Sequence, residues 1–252
     1  MQDHYVGDVG DFGKFGLLRH IHAQTGLRMG INWYYVDQPA ANNDGRHIGY
    51  LHKTGHERAA FEDCDRPLYH MLGQIIAASD RRIAAVEQHE GLLPHGMVCF
   101  RKALPGRETL PGNRSAHRQQ WVSDAHDTLR GCELVFLDPD NGLAPRGITP
   151  EHPDANKYAT LSELTALFAG GKSVLLYQHR NRMPREEYRA AYERLAAQFG
   201  QELNVLHFHR GTARDYVIFC QPEHRSALDA AQRTLLQSSW RRHFTQTTFP
   251  CE

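Results

Sequence analysis

Residues 132–142 read CELVFLDPDNG, a short run of aliphatic and aromatic side chains that ends on an acid and then turns through Pro139, Asp140, Asn141 and Gly142. An unbroken apolar run of this length fits a strand buried on both faces, as in a parallel sheet, and Pro, Asp, Asn and Gly are favoured in the turn that follows. The strand therefore delivers Asp138 at its carboxyl end. Residues 31–37, INWYYVD, have the same build and end on Asp37. Further strands are expected at 96–100, 172–178, 203–208 and 214–220. Helices are expected between them at 14–24, 66–89 with a break near Ser79–Asp80, 115–130, 160–169, 184–199 and 222–237. Thr160 with Glu163 forms the pattern of a capping box, and Tyr188, Tyr192, Leu195 and Phe199 fall on one helical face. Strands alternating with amphipathic helices predict an α/β fold, a mostly parallel sheet with helices on both faces. The strands ending at Asp37 and Asp138 should lie side by side.

The rest of the chain fits a single α/β domain over 1–252, in which only 57–95 has room for a helical insertion. Three long Gly/Pro/Asn-rich loops, 38–58, 101–115 and 139–158, interrupt the pattern, and two of them follow the acid-ended strands. Ligands of open α/β sheets bind just beyond the carboxyl ends of strands, so one site built from these two loops is expected. The composition is that of an ordinary folded domain: 252 residues, 29 Lys+Arg against 29 Asp+Glu, and 40% hydrophobic residues. With no net charge, a nucleic-acid partner has to be met by a local basic patch. Five widely spaced cysteines without a C-x-x-C pair argue against a disulfide scaffold and against a structural zinc site. No apolar stretch approaches the ~18 residues of a membrane span and the N-terminus lacks the pattern of a leader, so a cytoplasmic protein without a membrane partner is expected.

Several constellations can carry chemistry. A carboxylate leaving a buried strand into a Pro-stiffened turn is held in place, which suits Asp138 to accept a proton or bind a cation. The N-terminal stretch YVGDVGDFGKFGLLRH sets Gly7, Gly10, Gly13 and Gly16 three apart, with Asp8, Asp11 and Lys14 interleaved. Read as an arm before the helix at 14–24, it offers backbone N–H groups and Lys14 to an anion, and it is expected to cross the carboxyl end of the sheet beside Asp138. The loop from Asp37 through Gln38, Asn42, Asn43, Asp44 and Gly45 offers amide and carboxylate groups to a ligand. At the end of the strand 172–178, His179, Arg180, Asn181 and Arg182 converge, and the arginines suit phosphate. His207 and His209 alternate with apolar residues on a strand, as two metal ligands can. There is no G-x-S-x-G elbow and no H-E-x-x-H, so acyl transfer and zinc-protease chemistry have no footing.

Taken together these residues resemble the class I S-adenosylmethionine-dependent methyltransferases, in particular the family of large-subunit ribosomal RNA adenine-N6 methyltransferases. Gly7-Asp8, Asp11 and Lys14 are similar in order and spacing to that family's N-A-D-x-x-K-H stretch. Tyr35-Val36-Asp37-Gln38-Pro39-Ala40 resembles its first strand end and cofactor loop, and Asp138-Pro139-Asp140-Asn141 corresponds to its D-P-P-Y motif. The resemblance covers most of the chain. It implies a Rossmann-like sheet of methyltransferase type with an antiparallel C-terminal strand. It further implies Asp138, Lys14 and Asp11 as catalytic residues, and Asp37, Gln38, Asn42, Asn43, Asp44 and Gly45 as the holders of S-adenosylmethionine. Asp140, Asn141, His179, Arg180 and Arg182 would then meet a nucleic acid or nucleotide-like substrate. The chain departs from the family where Asp140 and Asn141 replace Pro and Tyr, where the first loop lacks its G-x-G, and where Phe15 stands in place of a histidine.

Two other functions fit the same residues. In a metal-dependent phosphodiesterase or nuclease, Asp138 and Asp140 would hold Mg²⁺ or Mn²⁺ and the arginines the scissile phosphate. A non-catalytic binding protein on the same fold is the third.

Overall fold

Strand and helix alternate along the chain, and the order in which the strands enter the sheet sets where its functional edge lies. The computed structural model describes residues 1–37, 45–180 and 184–251. In chain order the elements are α1 (Val9–Thr25), β1 (Met29–Asn32), α2 (Gly55–Glu62), α3 (Arg66–Ala77), α4 (Ile83–Gln88), β2 (Val98–Phe100), α5 (Arg114–Thr128) and β3 (Leu134–Leu137). They continue as β4 (Gly142–Leu143), β5 (Tyr158–Ala159), α6 (Leu161–Ala169), β6 (Ser173–His179), α7 (Arg185–Phe199), β7 (Leu203–Phe208), β8 (Arg214–Phe219), α8 (Pro222–Gln237) and β9 (Phe244–Phe249). Seven strands form one sheet in the order β2-β1-β3-β6-β8-β7-β9, and β4 and β5 form a separate parallel pair.

The strands β2, β1, β3 and β6 pair in parallel, while β8 runs antiparallel between β6 and β7 and β9 closes the edge antiparallel to β7. This is the mostly parallel, Rossmann-like α/β sheet with an antiparallel C-terminal strand. Side chains alternate between its faces. Leu134, Phe136, Leu175 and Tyr216 pack with α1, α3 and α8 on one side. Val135, Leu137, Val174 and Val217 pack with α5, α6 and α7 on the other. Among the described residues, no helix is long and apolar enough to cross a membrane.

Local chemistry accounts for the element ends. Thr160 caps α6 and Glu163 reaches back to it in a complete capping box. The helical stretch between β1 and β2 breaks after α3, where Ser79 takes φ +55°, and resumes as α4. It packs on α1 through Leu68, Leu72, Ile75 and Val86.

Three expectations change. The strand expected at 31–37 runs from Met29 to Asn32, because Tyr34 takes φ +45° and turns the chain away from the sheet. Its carboxyl end is therefore Asn32, and Asp37 lies exposed five residues on. Strand β9 was not expected, since FTQTTF presents polar side chains along a solvent-facing edge. Finally, the N-terminal glycines are no arm: α1 begins at Val9, and Gly10, Gly13 and Gly16 lie inside it. Added Cβ atoms there would strike the Arg214 guanidinium, the Phe208 ring and the Trp240 ring. The glycine stripe is the face by which α1 sinks onto the sheet and onto Trp240 in the turn after α8, so the period of three is a packing period.

Candidate active site

Strand β3 ends at Leu137, and the Asp138 N–H donates to the Asn32 carbonyl (2.9 Å), which ties the last residue of β3's run to the end of β1. The Asp138 side chain is buried there. Across it, Asp8 caps α1, its Oδ1 accepting the N–H groups of Gly10 (2.6 Å) and Asp11 (3.0 Å). A carboxylate in this position also favours the positive end of the helix dipole. One turn later Lys14 points inward. Its Nζ lies 2.7 Å from Asp138 Oδ2 and 2.9 Å from Asp11 Oδ1, and all three side chains are less than 5% exposed. The second Asp11 oxygen accepts from Gly7 N–H at 3.0 Å.

These groups perturb one another. Burial raises the Asp11 carboxyl to about 6, against the pull of Lys14 and with help from Asp8. Burial alone would lower Lys14, but Asp11 and Asp138 outweigh it and hold the ammonium well above its usual range. Arg214, on β8, is raised in the same way, burial being overcome by Tyr177 and by Asp8, whose Oδ2 is 3.3 Å from Nη2. Burial pushes Tyr177 to about 12.

The cluster opens onto a cavity of about 220 Å³ at the carboxyl edge of the sheet. Four carboxylates, Asp8, Asp11, Asp138 and Asp140, face two side-chain cations, Lys14 and Arg214. In one corner the carbonyls of Tyr34 and Asp138 accept from the amino group of Met1 at 2.9 and 3.2 Å, and Asp140 Oδ1 lies 2.9 Å from the same group. Gln2 donates to Asp140 Oδ2 at 2.6 Å.

Of the residues singled out in the sequence, Asp11, Lys14, Gly45, Asp138, Asp140, Asn141 and His179 all line this cavity. Asp37 does not: it is exposed and meets Tyr35 Oη at 3.4 Å. Arg180 turns to the opposite face, 3.6 Å from Asp215 and stacked over the Tyr188 ring. Gln38, Asn42, Asn43, Asp44 and Arg182 lie outside the described residues. His207 is bonded to Asp215 (2.6 Å) and Thr247 (2.9 Å), and His209 to Thr245 (2.6 Å), so both already have protein partners. Among the described residues, no three His, Cys, Asp or Glu side chains are arranged so as to hold a metal ion.

Sequence reasoning saw Asp8 in the glycine pattern without giving it a role in the site, and it missed Arg214 and Gln178. Asp8 carried a readable signal, an acid immediately before a helix start. Gln178 braces the turn after Asp138, with Oε1 accepting from Leu143 N–H (2.8 Å) and Nε2 donating to the Asn141 carbonyl (3.2 Å), and its side chain fills the space a Cβ on Gly142 would need. Gly142 also has φ +99°, so this close approach and this turn both call for glycine.

No family model and no curated protein matches the chain. Among solved structures, protein LPL1258 of Legionella pneumophila str. Philadelphia 1, assigned to family DUF519, is similar at a TM-score of 0.47 and 10% identity over 98% of each chain.

Proposed function

We propose that the protein is an S-adenosylmethionine-dependent methyltransferase of the cytoplasm that modifies an amine of a nucleic acid or nucleotide-like substrate. The observation that carries this reading is the net-acidic, buried cluster at the carboxyl ends of β1 and β3, with Lys14 wedged between Asp11 and Asp138. An amine that accepts a methyl group gains positive charge as it reacts. An excess of fixed carboxylates in a low-dielectric cavity stabilises that charge. The same excess opposes the negative charge that develops at a phosphoryl group.

The residues present also fit the cofactor. The carbonyls of Tyr34 and Asp138 and the Asp140 carboxylate converge on the amino group of Met1, and the same acceptors would suit the α-ammonium end of S-adenosylmethionine once that group is displaced. Bound there, the cofactor would supply an electrophilic methyl group. Asp138 would accept a hydrogen bond from the acceptor amine and then its proton, while Lys14 fixes the carboxylate's orientation. Asp11 shares Lys14, and its raised pKa gives the cluster a second proton acceptor near neutral pH.

The metal-dependent alternative is less well supported. Lys14 Nζ stands within 3 Å of both Asp11 and Asp138, where a divalent ion held by Asp138 would have to sit. Calorimetry with S-adenosylmethionine and with Mn²⁺, alongside transfer of labelled methyl groups to RNA, tests the choice. Methyl transfer lost in Asp138→Asn supports the proposal. Cofactor-independent, Mn²⁺-dependent cleavage that is lost in the same variant would replace it with the nuclease reading.

A further inference from the structure

A second cavity, of about 600 Å³, lies on the α7 face of the sheet and meets the Asp138 cavity at the carboxyl edge, where Asn141 and His179 line both. Its wall is apolar and aromatic, with Leu161, Leu195 and the ring of Tyr158 exposed to the space. Its charges have one sign. Arg146 and Arg194 stand exposed at the rim, no acidic side chain lines the cavity, and neither arginine is paired with a described residue. In a chain with as many acids as bases, a pocket without a carboxylate is a local field that selects an anion.

Asn141 stands at the junction. Its backbone is fixed on both sides, the N–H donating to the Lys157 carbonyl (2.9 Å) and the carbonyl accepting from Gln178. Its side-chain amide is bonded to no described residue and offers both a donor and an acceptor where the two cavities join. A ligand that suits all of this has a flat, largely apolar body with hydrogen-bonding edges and an anionic tail.

Resting on the methyltransferase reading, we propose that this groove holds an unpaired nucleotide of a single-stranded nucleic acid, the base against the apolar wall and the flanking phosphates at Arg146 and Arg194. A base in this groove presents its edge to Asn141 and its amine toward Asp138. Stacking on a Tyr is tolerant of sequence, and Arg holds phosphate through a planar, multidentate fork. The basic patch that a neutral chain needs for nucleic acid would then lie on one side of the sheet edge, and the acidic, reactive corner on the other.

The test is fluorescence anisotropy with a fluorescein-labelled single-stranded RNA of mixed sequence. It compares the wild-type protein with Arg146→Glu/Arg194→Glu and with Ala191→Trp, which fills the groove from α7. Affinity should fall about tenfold or more in both variants and the salt dependence should become shallower in the first, with the melting temperature of each near that of the wild type. Arg233→Glu, exposed on α8 at the other face of the sheet, should leave RNA affinity within about twofold. Unchanged RNA affinity in both groove variants overturns the proposal, as does a long-chain fatty acid that displaces the RNA and binds more tightly. Calorimetry with S-adenosylmethionine on the same proteins separates the two readings. RNA binding through the groove without cofactor binding would refute methyl transfer and keep the groove, whereas cofactor binding with groove-independent RNA affinity would refute the groove alone.

Discussion

Two buried ion-pair clusters flank the end of β1, and they are built in opposite ways. On the α5 and α6 side, Arg118 is closed on every side. It donates to both Glu163 oxygens (2.6 and 3.0 Å) and to the carbonyls of Ala155 (2.8 Å) and Tyr158 (2.7 Å). Glu163 in turn accepts from Tyr34 Oη and from Thr160 N–H, both at 2.9 Å. Charges cancel and four of the five guanidinium N–H groups are bonded. On the α1 side, Lys14 serves two carboxylates, further acids stand nearby, and the whole opens onto a cavity. The first arrangement is what a fold needs in order to bury charge at tolerable cost. The second leaves charge uncompensated beside an open cavity, and the proposed function rests on that difference. Burial of an ion pair alone therefore does not distinguish structure from function in this molecule, whereas saturation does.

The largest expected effect is on chemistry in the open cluster. Asp138→Asn keeps a side-chain oxygen for Lys14 but removes the charge that accepts the proton, so turnover should drop by roughly 10²–10⁴, while stability falls by only about 1 kcal/mol. Methyl-transfer kinetics together with chemical denaturation check both halves. Turnover within tenfold of wild type would place Asp138 in the same structural class as Glu163.

In the closed cluster the pattern should invert. Glu163→Ala strands the Arg118 guanidinium in the interior and breaks the α6 capping box, and it should cost about 3–5 kcal/mol of stability. The protein that remains folded should keep its RNA and cofactor affinity. A loss of affinity with no loss of stability would show that this cluster, too, belongs to the site.

How much of this contrast could be read from the sequence depended on what each signal was. Strands such as LVFL and the helices over 184–199 and 222–237 follow from side-chain periodicity, which is local, and they fall within a residue or two of their expected limits. Strand INWYYVD failed because β-propensity cannot see the left-handed turn at Tyr34, which tertiary packing against Trp121 and Glu163 holds in place. Asp138 was legible as a carboxylate at a strand end. Its partnership with Lys14 joins residues 124 positions apart; the expected crossing of the N-terminal stretch over the carboxyl edge and the family resemblance both brought the two together, although the glycine period belongs to a helix and not to the expected arm. Arg118 sits in a polar helical stretch, RSAHRQQWVSDAHDT, and Glu163 is legible only as the acid of a capping box, so nothing in the sequence marks the two as a buried pair.

Acid titration gives a third handle on the open cluster. Because the folded protein holds the Asp11 carboxyl at about 6 against an ordinary 3.8, it binds that proton more tightly than the unfolded chain does. The resulting stabilisation is complete below the unfolded value and is lost as pH rises through about 6. Asp11→Asn cannot titrate and keeps an acceptor for Gly7. Stability of the wild type relative to this variant should therefore fall by roughly 2–3 kcal/mol between pH 4 and pH 7. Denaturant melts of both proteins across that window measure the difference. A relative stability that rises with pH would mean that Lys14 dominates Asp11 and that the cluster is saturated like its counterpart.

The smallest effect concerns the scaffold that carries Lys14 to Asp138. If the glycine stripe of α1 serves packing, Gly13→Ala must push a methyl group to within 2.6 Å of the Phe208 ring, which is fully buried. Overpacking of this kind costs about 1–3 kcal/mol and more than offsets the ~1 kcal/mol that alanine gains over glycine in a helix. Gly73, in the middle of α3, provides the control: the nearest atom to its added Cβ is Leu51 Cδ2 at 4.0 Å. Gly73→Ala should therefore raise stability by about 0.5–1 kcal/mol. Two identical substitutions in two helices should thus shift the denaturation midpoint in opposite directions. If Gly13→Ala stabilises as Gly73→Ala does, α1 is not seated by its glycines, and the reach of Lys14 to Asp138 needs another cause.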